Sequence, residues 1–331
     1  MIRIGVIGNG SWATAMVKML CDNPREKHLN WWIRKSDDLN YIQTYSHNPN
    51  YLSAVEIKLD RVSLFSQARD VVLKSDIVIL NTPAAYLEAA LGDLTAADFS
   101  GKVVISAIKG IIPSNGLVVG EYMIKEFNLK DEDVVVVGGP CHAEEVSSEK
   151  RSYLTFASTS DSAATQVAAL FENHYINTVV STDMLGVEYG AVLKNIYALA
   201  CGICHGLGFG DNFQAVLIAN AIREMERFVY AIAPQDREIN QSAYLGDLLV
   251  TAYSQFSRNR TFGTMLGKGY SVKTAQLEMN MVAEGYFAAK HIQDILQRYQ
   301  IDMPICTTVY RILYEGAAPR RAIQDLAIYL T

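Results

Sequence analysis

One lysine interrupts a stretch that is otherwise apolar. Between Tyr189 and Cys204, Lys194 carries the only formal charge, set among Ala, Val, Leu, Ile, Tyr and Cys. A segment apolar on every face is a buried helix, and lysine is rarely buried in full without a partner. Desolvation disfavours the ammonium form, so such a lysine moves toward neutrality and can exchange protons as a general acid or base. A snorkelling or salt-bridged core lysine fits the same stretch taken alone, so the choice depends on what else the chain carries.

A second chemical signal lies at the N-terminus. Gly8-x-Gly10-x-x-Ala13 follows a short apolar strand and opens a helical pattern through Ala15, Met16, Met19 and Leu20. That is the dinucleotide-binding fingerprint: the first glycine makes the tight turn, the second lets a pyrophosphate approach the backbone, and the helix N-terminus supplies N–H donors. The next strand closes on Trp31-Trp32-Ile33-Arg34-Lys35. An acid there suits the ribose 2′-hydroxyl of NAD, whereas arginine suits a 2′-phosphate. Arg34 and Lys35 therefore shift the expected cofactor, NADP or NAD, toward NADP. Solvated surface cations, or Arg34 stacked on adenine, give the same sequence.

Three further clusters stand where ligands bind. Lys109-Gly110 follows the apolar run Lys102–Ser106, and Gly138-Gly139-Pro140-Cys141-His142-Ala143-Glu144-Glu145 follows Asp133–Val137. Both fall at the carboxyl edge of a sheet, the ligand side of open α/β folds. Asp247 sits in an apolar segment, and Ser257-Arg258-Asn259-Arg260 precedes the glycine-rich turns at Gly263 and Leu266-Gly267-Lys268-Gly269. Arginine flanked by Ser and Asn donors suits a phosphate or phosphate ester. Each cluster alone also reads as turn glycines and a solvated loop.

The elements that must position these groups are those of an α/β protein. Continuous apolar strands at Ile2–Ile7, Leu29–Ile33, Asp76–Leu80, Lys102–Ser106 and Asp133–Val137 alternate with helical segments. That pattern predicts a Rossmann-type, doubly wound parallel sheet covered on both faces. Tyr153–Ala157 and Ile176–Val180 could extend it. Beyond Gly186 long helical periodicities take over, as in Asn212–Ile232 and Val282–Tyr299. The expected division is a dinucleotide-binding domain over 1–185 and an all-α domain over 186–331 for substrate binding and catalysis, with Lys194 near their junction.

Composition excludes several classes. A chain of 331 residues is long enough for two domains. A net charge of −6 without blocks of like charge argues against a nucleic-acid partner. The N-terminus reads as a strand at once, with no secretory signal, and no stretch is apolar for long enough to span a membrane. The expected location is cytoplasmic. Five scattered cysteines make no disulfide framework. Cys201-x-x-Cys204-His205 has the spacing of a haem attachment site, yet it falls inside the apolar helix, where cysteines serve as small hydrophobes. No metal site is expected.

Taken in order, the motifs resemble the soluble, bacterial-type NAD(P)-dependent glycerol-3-phosphate dehydrogenases. The matching residues are Gly8-Asn-Gly-Ser-Trp12, Trp32-x-Arg34, Asn50-Tyr51-Leu52, Lys109-Gly110, Gly139-Pro140 with Ala143-Glu144, and Gly186-Val-Glu with Lys194-Asn195. They continue through Gly208-Phe-Gly-Asp211-Asn212, Gly246-Asp247-Leu248, Ser257-Arg258-Asn259 and Val282-Ala-Glu284-Gly285. The resemblance implies reversible hydride transfer between NAD(P)H and dihydroxyacetone phosphate, giving sn-glycerol 3-phosphate for glycerophospholipid synthesis.

It also implies roles. Lys194 would be the acid/base, with Lys109 and Asp247 beside it as catalytic residues. Gly8, Gly10, Ser11, Trp12, Arg34, Lys35, Lys109, Ala143, Arg258, Val282 and Glu284 would hold the cofactor. Lys109, Gly139, Cys141, Lys194, Asn195, Asp247, Ser257, Arg258 and Asn259 would hold the phosphorylated triose. The expected assembly is a homodimer.

The chain departs from the family pattern in three places. Cys141 replaces a small or hydroxylated residue, His142 an aromatic one, and Gln241-Ser-Ala-Tyr-Leu245 a Gly-Leu-Ala-Gly run. Two alternatives remain: a β-hydroxy-acid-type dehydrogenase acting on a carboxylate, which needs no Ser-Arg-Asn clamp, and a non-catalytic NADP-sensing module, which needs neither lysine nor Asp247.

Overall fold

The computed structural model describes residues 1–279 and 283–331. Val282, expected at the cofactor, lies outside the described residues. The chain divides into two compact units, one made of 1–108 with 117–187 and the other of 109–116 with 188–331. The segment carrying Lys109 thus belongs to the helical unit, although its neighbours in sequence on both sides belong to the sheet.

In the first unit the apolar runs form strands β1 (Ile2–Ile7), β2 (Lys27–Trp32), β3 (Val62–Phe65), β4 (Ile77–Leu80), β5 (Val103–Ser106), β6 (Val134–Gly138), β7 (Ser152–Ala157) and β8 (Ile176–Ser181). They make one sheet in the order β3-β2-β1-β4-β5-β6-β7-β8. Adjacent residues such as Val78 and Ile79, or Val104 and Ile105, are both buried, so both faces of the central strands are covered.

Two features depart from the expected parallel sheet. β3 was not visible as an apolar run, because this edge strand buries only Val62 fully. β7 pairs antiparallel with β6, and β8 pairs parallel with β7, so the last two strands run against the other six. The cause is local. A parallel crossover needs a helix long enough to return along the sheet, and the only helix between β6 and β7, Ala143–Ser147, has five residues, about 7.5 Å of rise.

The helices of this unit are α1 (Ser11–Asp22), α2 (Ser36–Tyr45), α3 (Ala68–Leu73), α4 (Leu87–Leu91), α5 (Val119–Phe127), α6 (Ala143–Ser147) and α7 (Asp161–Phe171). The boundary at 187/188 falls inside the long helix α8 (Met184–Gly206). The second unit continues with α9 (Asp211–Ile232), α10 (Asp247–Tyr253), α11 (Arg258–Gly267), α12 (Val272–Glu278), α13 (Glu284–Tyr299), α14 (Pro304–Tyr314) and α15 (Pro319–Ala327). Among the described residues no helix is long and apolar enough to cross a membrane.

Helices α8 and α11 cross with almost no side chain between them. Gly202 and Gly206 on α8 lie against the carbonyls of Arg260 and Thr264, and Gly263 and Gly267 on α11 lie against those of Leu199 and Ile203. A Cβ at any of the four positions would overlap backbone oxygen, which cannot give way as a flexible side chain could. The crossing fixes the distance between what α8 carries and what the start of α11 carries.

Candidate active site

Three residues of the helical unit meet in its interior. The Lys194 ammonium forms a buried ion pair with Oδ1 of Asp247, and the Lys109 ammonium reaches Oδ2 of the same carboxylate at 2.8 Å. Lys194 and Asp247 are 5% and 1% exposed, while the Lys109 side chain keeps 19% of its surface open. Two amines therefore share one carboxylate, and Lys109 is the more open of the two.

Local structure accounts for each member. Lys194 sits within α8, whose first turn is closed by Oδ1 of Asp183 accepting the Gly186 N–H at 3.0 Å. The replaced run before Asp247 forms a π-helical turn over Ser242–Gly246, a geometry frequent at functional sites. That turn leads into α10 with Asp247 as its first residue. The Thr251 hydroxyl donates to the Asp247 carbonyl at 2.6 Å and ties down the first turn. Lys109 is held through its main chain, because the Asn195 carboxamide donates to the Lys109 carbonyl at 2.8 Å. Asn195, expected to touch substrate, thus spends one donor aligning Lys109 with Lys194.

The electrostatics follow from crowding. Burial pushes the Lys194 amine down, Asp247 pulls it back up and Lys109 pushes it down again, leaving it at about 7. Burial opposes ionisation of Asp247, but the two cations outweigh it and hold the carboxyl below its usual range. The cluster is therefore an ionised acid shared by two amines, one more than its single charge can balance. Such a lysine can give up and recover a proton near neutrality, which a simple core salt bridge would not do.

The start of α11 carries the Ser-Arg-Asn cluster. Ser257 is the N-cap, its hydroxyl accepting from the Arg260 N–H at 3.2 Å, and Arg258 is the first helical residue. Asn259 is buried, and its Oδ1 accepts the Gly285 N–H at 2.9 Å. Gly285 follows Glu284, the first residue of α13, and packs on α8. A Cβ there would stand 2.6 Å from the Asn195 carbonyl oxygen. Glycine at 285 thus lets the starts of α11 and α13 converge on the turn of α8 that bears Lys194 and Asn195.

In the sheet unit Gly8 follows β1 with φ +133°, a conformation that favours glycine. A Cβ there would overlap the Asn81 carbonyl, whereas one at Gly10 would meet no atom within 4 Å. Ser11 and Trp12 open α1, and the buried Trp12 Nε1 has no hydrogen-bond partner among the described residues. A close-packed turn, an open glycine beside it and a partnerless buried donor fit a phosphate-bearing dinucleotide.

Arg34 and Lys35 are exposed between β2 and α2. Gly139 and Cys141 lie between β6 and α6, and Ala143 is the first residue of α6, with the Cys141 thiol donating to the Tyr153 carbonyl at 3.2 Å. Spacing alone did not flag Trp31, whose indole N–H donates to the Gly8 carbonyl at 2.7 Å. A buried tryptophan on an apolar strand reads as core.

A nucleotide-binding sheet followed by helices built around a buried amine–carboxylate cluster is the plan of a dinucleotide-dependent dehydrogenase. Comparison with known proteins narrows this. The family models for the N-terminus and C-terminus of NAD-dependent glycerol-3-phosphate dehydrogenase match residues 3–164 and 183–324. The chain belongs to the NAD-dependent glycerol-3-phosphate dehydrogenase family.

Among relatives, the glycerol-3-phosphate dehydrogenase (NAD(P)+) of Halalkalibacterium halodurans is 35% identical over 98% of this chain and 94% of its own. That of Bacillus subtilis is 33% identical over the same shares. The crystal structure of glycerol-3-phosphate dehydrogenase from Coxiella burnetii is 26% identical and superposes with a TM-score of 0.88, covering 98% of each chain.

Proposed function

We propose that this protein catalyses reversible hydride transfer between NAD(P)H and dihydroxyacetone phosphate, giving sn-glycerol 3-phosphate for glycerophospholipid synthesis. The observation that carries the reading is that two amines, Lys109 and Lys194, share the one buried carboxylate of Asp247. In the reducing direction the Lys194 ammonium donates its proton to the C2 carbonyl oxygen. In the oxidising direction the neutral amine takes the proton from the C2 hydroxyl. Asp247 holds the Lys194 amine in place, and the charge of Lys109 keeps its proton labile and polarises the carbonyl.

The cofactor, when bound, supplies or accepts the hydride. Gly8, Gly10, Ser11 and Trp12 would cradle its pyrophosphate, Arg34 and Lys35 its adenosine end, and Ala143, Arg258, Val282 and Glu284 the remainder. Ser257, Arg258 and Asn259 would hold the substrate phosphate, with Gly139, Cys141 and Asn195 lining the triose. The phosphate cluster favours this reading over a carboxylate-reducing dehydrogenase, and the two lysines with Asp247 favour it over a sensing module. A sheet unit for the cofactor, a helical unit for the substrate, a cytoplasmic location and a homodimer complete the proposal.

The test is to follow NADPH or NADH oxidation with dihydroxyacetone phosphate and with dihydroxyacetone. Turnover of the phosphorylated triose is expected to exceed by far that of the unphosphorylated one. Equal use of both would sink the phosphate-clamp assignment, and use of neither would sink the reaction.

A further inference from the structure

The glycine-rich turn presents N–H groups to a ligand only if its carbonyls face the other way. In a planar trans peptide the C=O of one residue and the N–H of the next point in opposite directions. Three successive carbonyls of this turn are engaged within the protein. The Gly8 carbonyl accepts from the Trp31 indole at 2.7 Å. The Asn9 carbonyl accepts from Nδ2 of Asn48 at 3.0 Å. The Gly10 carbonyl accepts from the Thr14 N–H at 3.0 Å and its hydroxyl at 3.1 Å. The N–H groups of Asn9, Gly10 and Ser11 are thereby directed away from these anchors.

Of the anchors, Asn48 is the one that lies outside the β1–turn–α1–β2 unit. It is fully buried and uses its whole hydrogen-bonding capacity. Nδ2 donates to the Asn9 carbonyl and to the Thr14 hydroxyl, each at 3.0 Å. Oδ1 accepts from the N–H groups of Asn50 and Tyr51 at 3.1 and 3.2 Å. Its own segment is pinned two residues earlier, at Ser46, through both main-chain groups. The Ser46 N–H closes α2 on the Ile42 carbonyl at 2.8 Å, and the Ser46 carbonyl accepts from Ile57 at 2.7 Å. Asn48 is therefore a rigid strut between an ordered loop and the middle peptide of the turn.

We infer that Asn48 is a positioning residue for the cofactor: it fixes the Asn9–Gly10 peptide with its N–H toward the pyrophosphate, and Thr14 relays the same constraint to the next peptide. The inference rests on the dinucleotide reading given above. Loss of the strut leaves the Asn9 carbonyl without its buried donor, so the peptide can rotate and set a carbonyl dipole against the phosphates. Leaving a buried acceptor unmade is worth roughly 10–100-fold in binding.

The test measures NADPH and NADH binding by calorimetry, without substrate, in the parent and in Asn48→Leu and Asn48→Asp. Both variants remove the two donors; the leucine is neutral, so it separates peptide orientation from charge repulsion. Both are expected to bind roughly 10–100-fold more weakly, with kcat at saturating cofactor and KM for the triose phosphate within about twofold of the parent.

A lowered melting temperature with unchanged affinity would make Asn48 merely structural and overturn the inference. Weakening confined to the aspartate would also overturn it. If neither variant folds, Thr14→Val, isosteric but without the hydroxyl, decides. Weakened binding that Thr14→Ser restores supports the inference, and unchanged binding overturns it. A parent that binds neither nucleotide would overturn the functional reading and this inference together.

Discussion

The carboxamide oxygen of Asn259 accepts the backbone N–H of Gly285 at 2.9 Å. An amide group so anchored cannot flip, and only its NH2 end remains to meet a ligand. Asn259 is thereby a donor by construction, as an anion clamp requires. Asn259→Asp keeps the bond to Gly285 but replaces that donor with a negatively charged oxygen. The KM for dihydroxyacetone phosphate should rise at least tenfold, the cost of a lost charge-assisted bond. Use of unphosphorylated dihydroxyacetone should barely change. Parallel losses on both substrates would place Asn259 with the fold and not with the phosphate.

Removing Lys194 should damage chemistry more than structure. In Lys194→Ala the buried carboxylate keeps Lys109 at 2.8 Å, so Asp247 is not left as an uncompensated charge, which would cost about 3–5 kcal/mol. Turnover should fall by the ~10²–10⁴-fold typical of losing a general acid or base, with NADPH affinity nearly intact. Turnover close to the parent's would return Lys194 to a structural role.

Lys109 tunes its neighbour, and pH reads the tuning. Lys194 is down at about 7, so its ammonium predominates below that pH and its neutral amine above it. Triose phosphate reduction, which needs the proton, should decline as pH rises through that region. Glycerol 3-phosphate oxidation, which needs the free amine, should climb over the same interval. Lys109→Met removes a cation that disfavours the Lys194 ammonium and should move both inflections to higher pH. Inflections that stay put in the variant would show that burial alone sets the value.

Cofactor preference can be read at Arg34. Both it and Lys35 are exposed, and an exposed ion pair is worth up to about 1 kcal/mol. Arg34→Ala should thus weaken NADPH by roughly fivefold while leaving NADH little affected. Equal losses for the two would assign Arg34 to adenine stacking or to the pyrophosphate.

Much of this was legible in the sequence because it is written locally. The β1–turn–α1 unit announces itself by an apolar run, two glycines and a helical period, and Lys194 by its isolation among apolar neighbours. Other features depend on partners distant in the chain. β3 is an edge strand with one fully buried residue, so no apolar run marks it. The reversal of β7 follows from the shortness of α6. The four glycines of the α8–α11 crossing are plain in the sequence, yet nothing there pairs Gly202 with Arg260 or Gly263 with Leu199. Asn48 leaves no periodic trace, because its work is done by hydrogen bonds to backbone 39 residues away.

The segment 109–116 leaves the sheet unit, lies with the helices and returns, and this bears on any attempt to dissect or recombine the chain. Begun at Glu188, the helical part would retain Lys194 and Asp247 in one-to-one balance, a resting salt bridge without the second amine. A chimera joined at 187/188 would import the lysine and the acid from one parent and take Lys109 from the other. The acidity of Lys194 would then be inherited from both parents at once, and a relative's helical half could not bring its own pH profile with it.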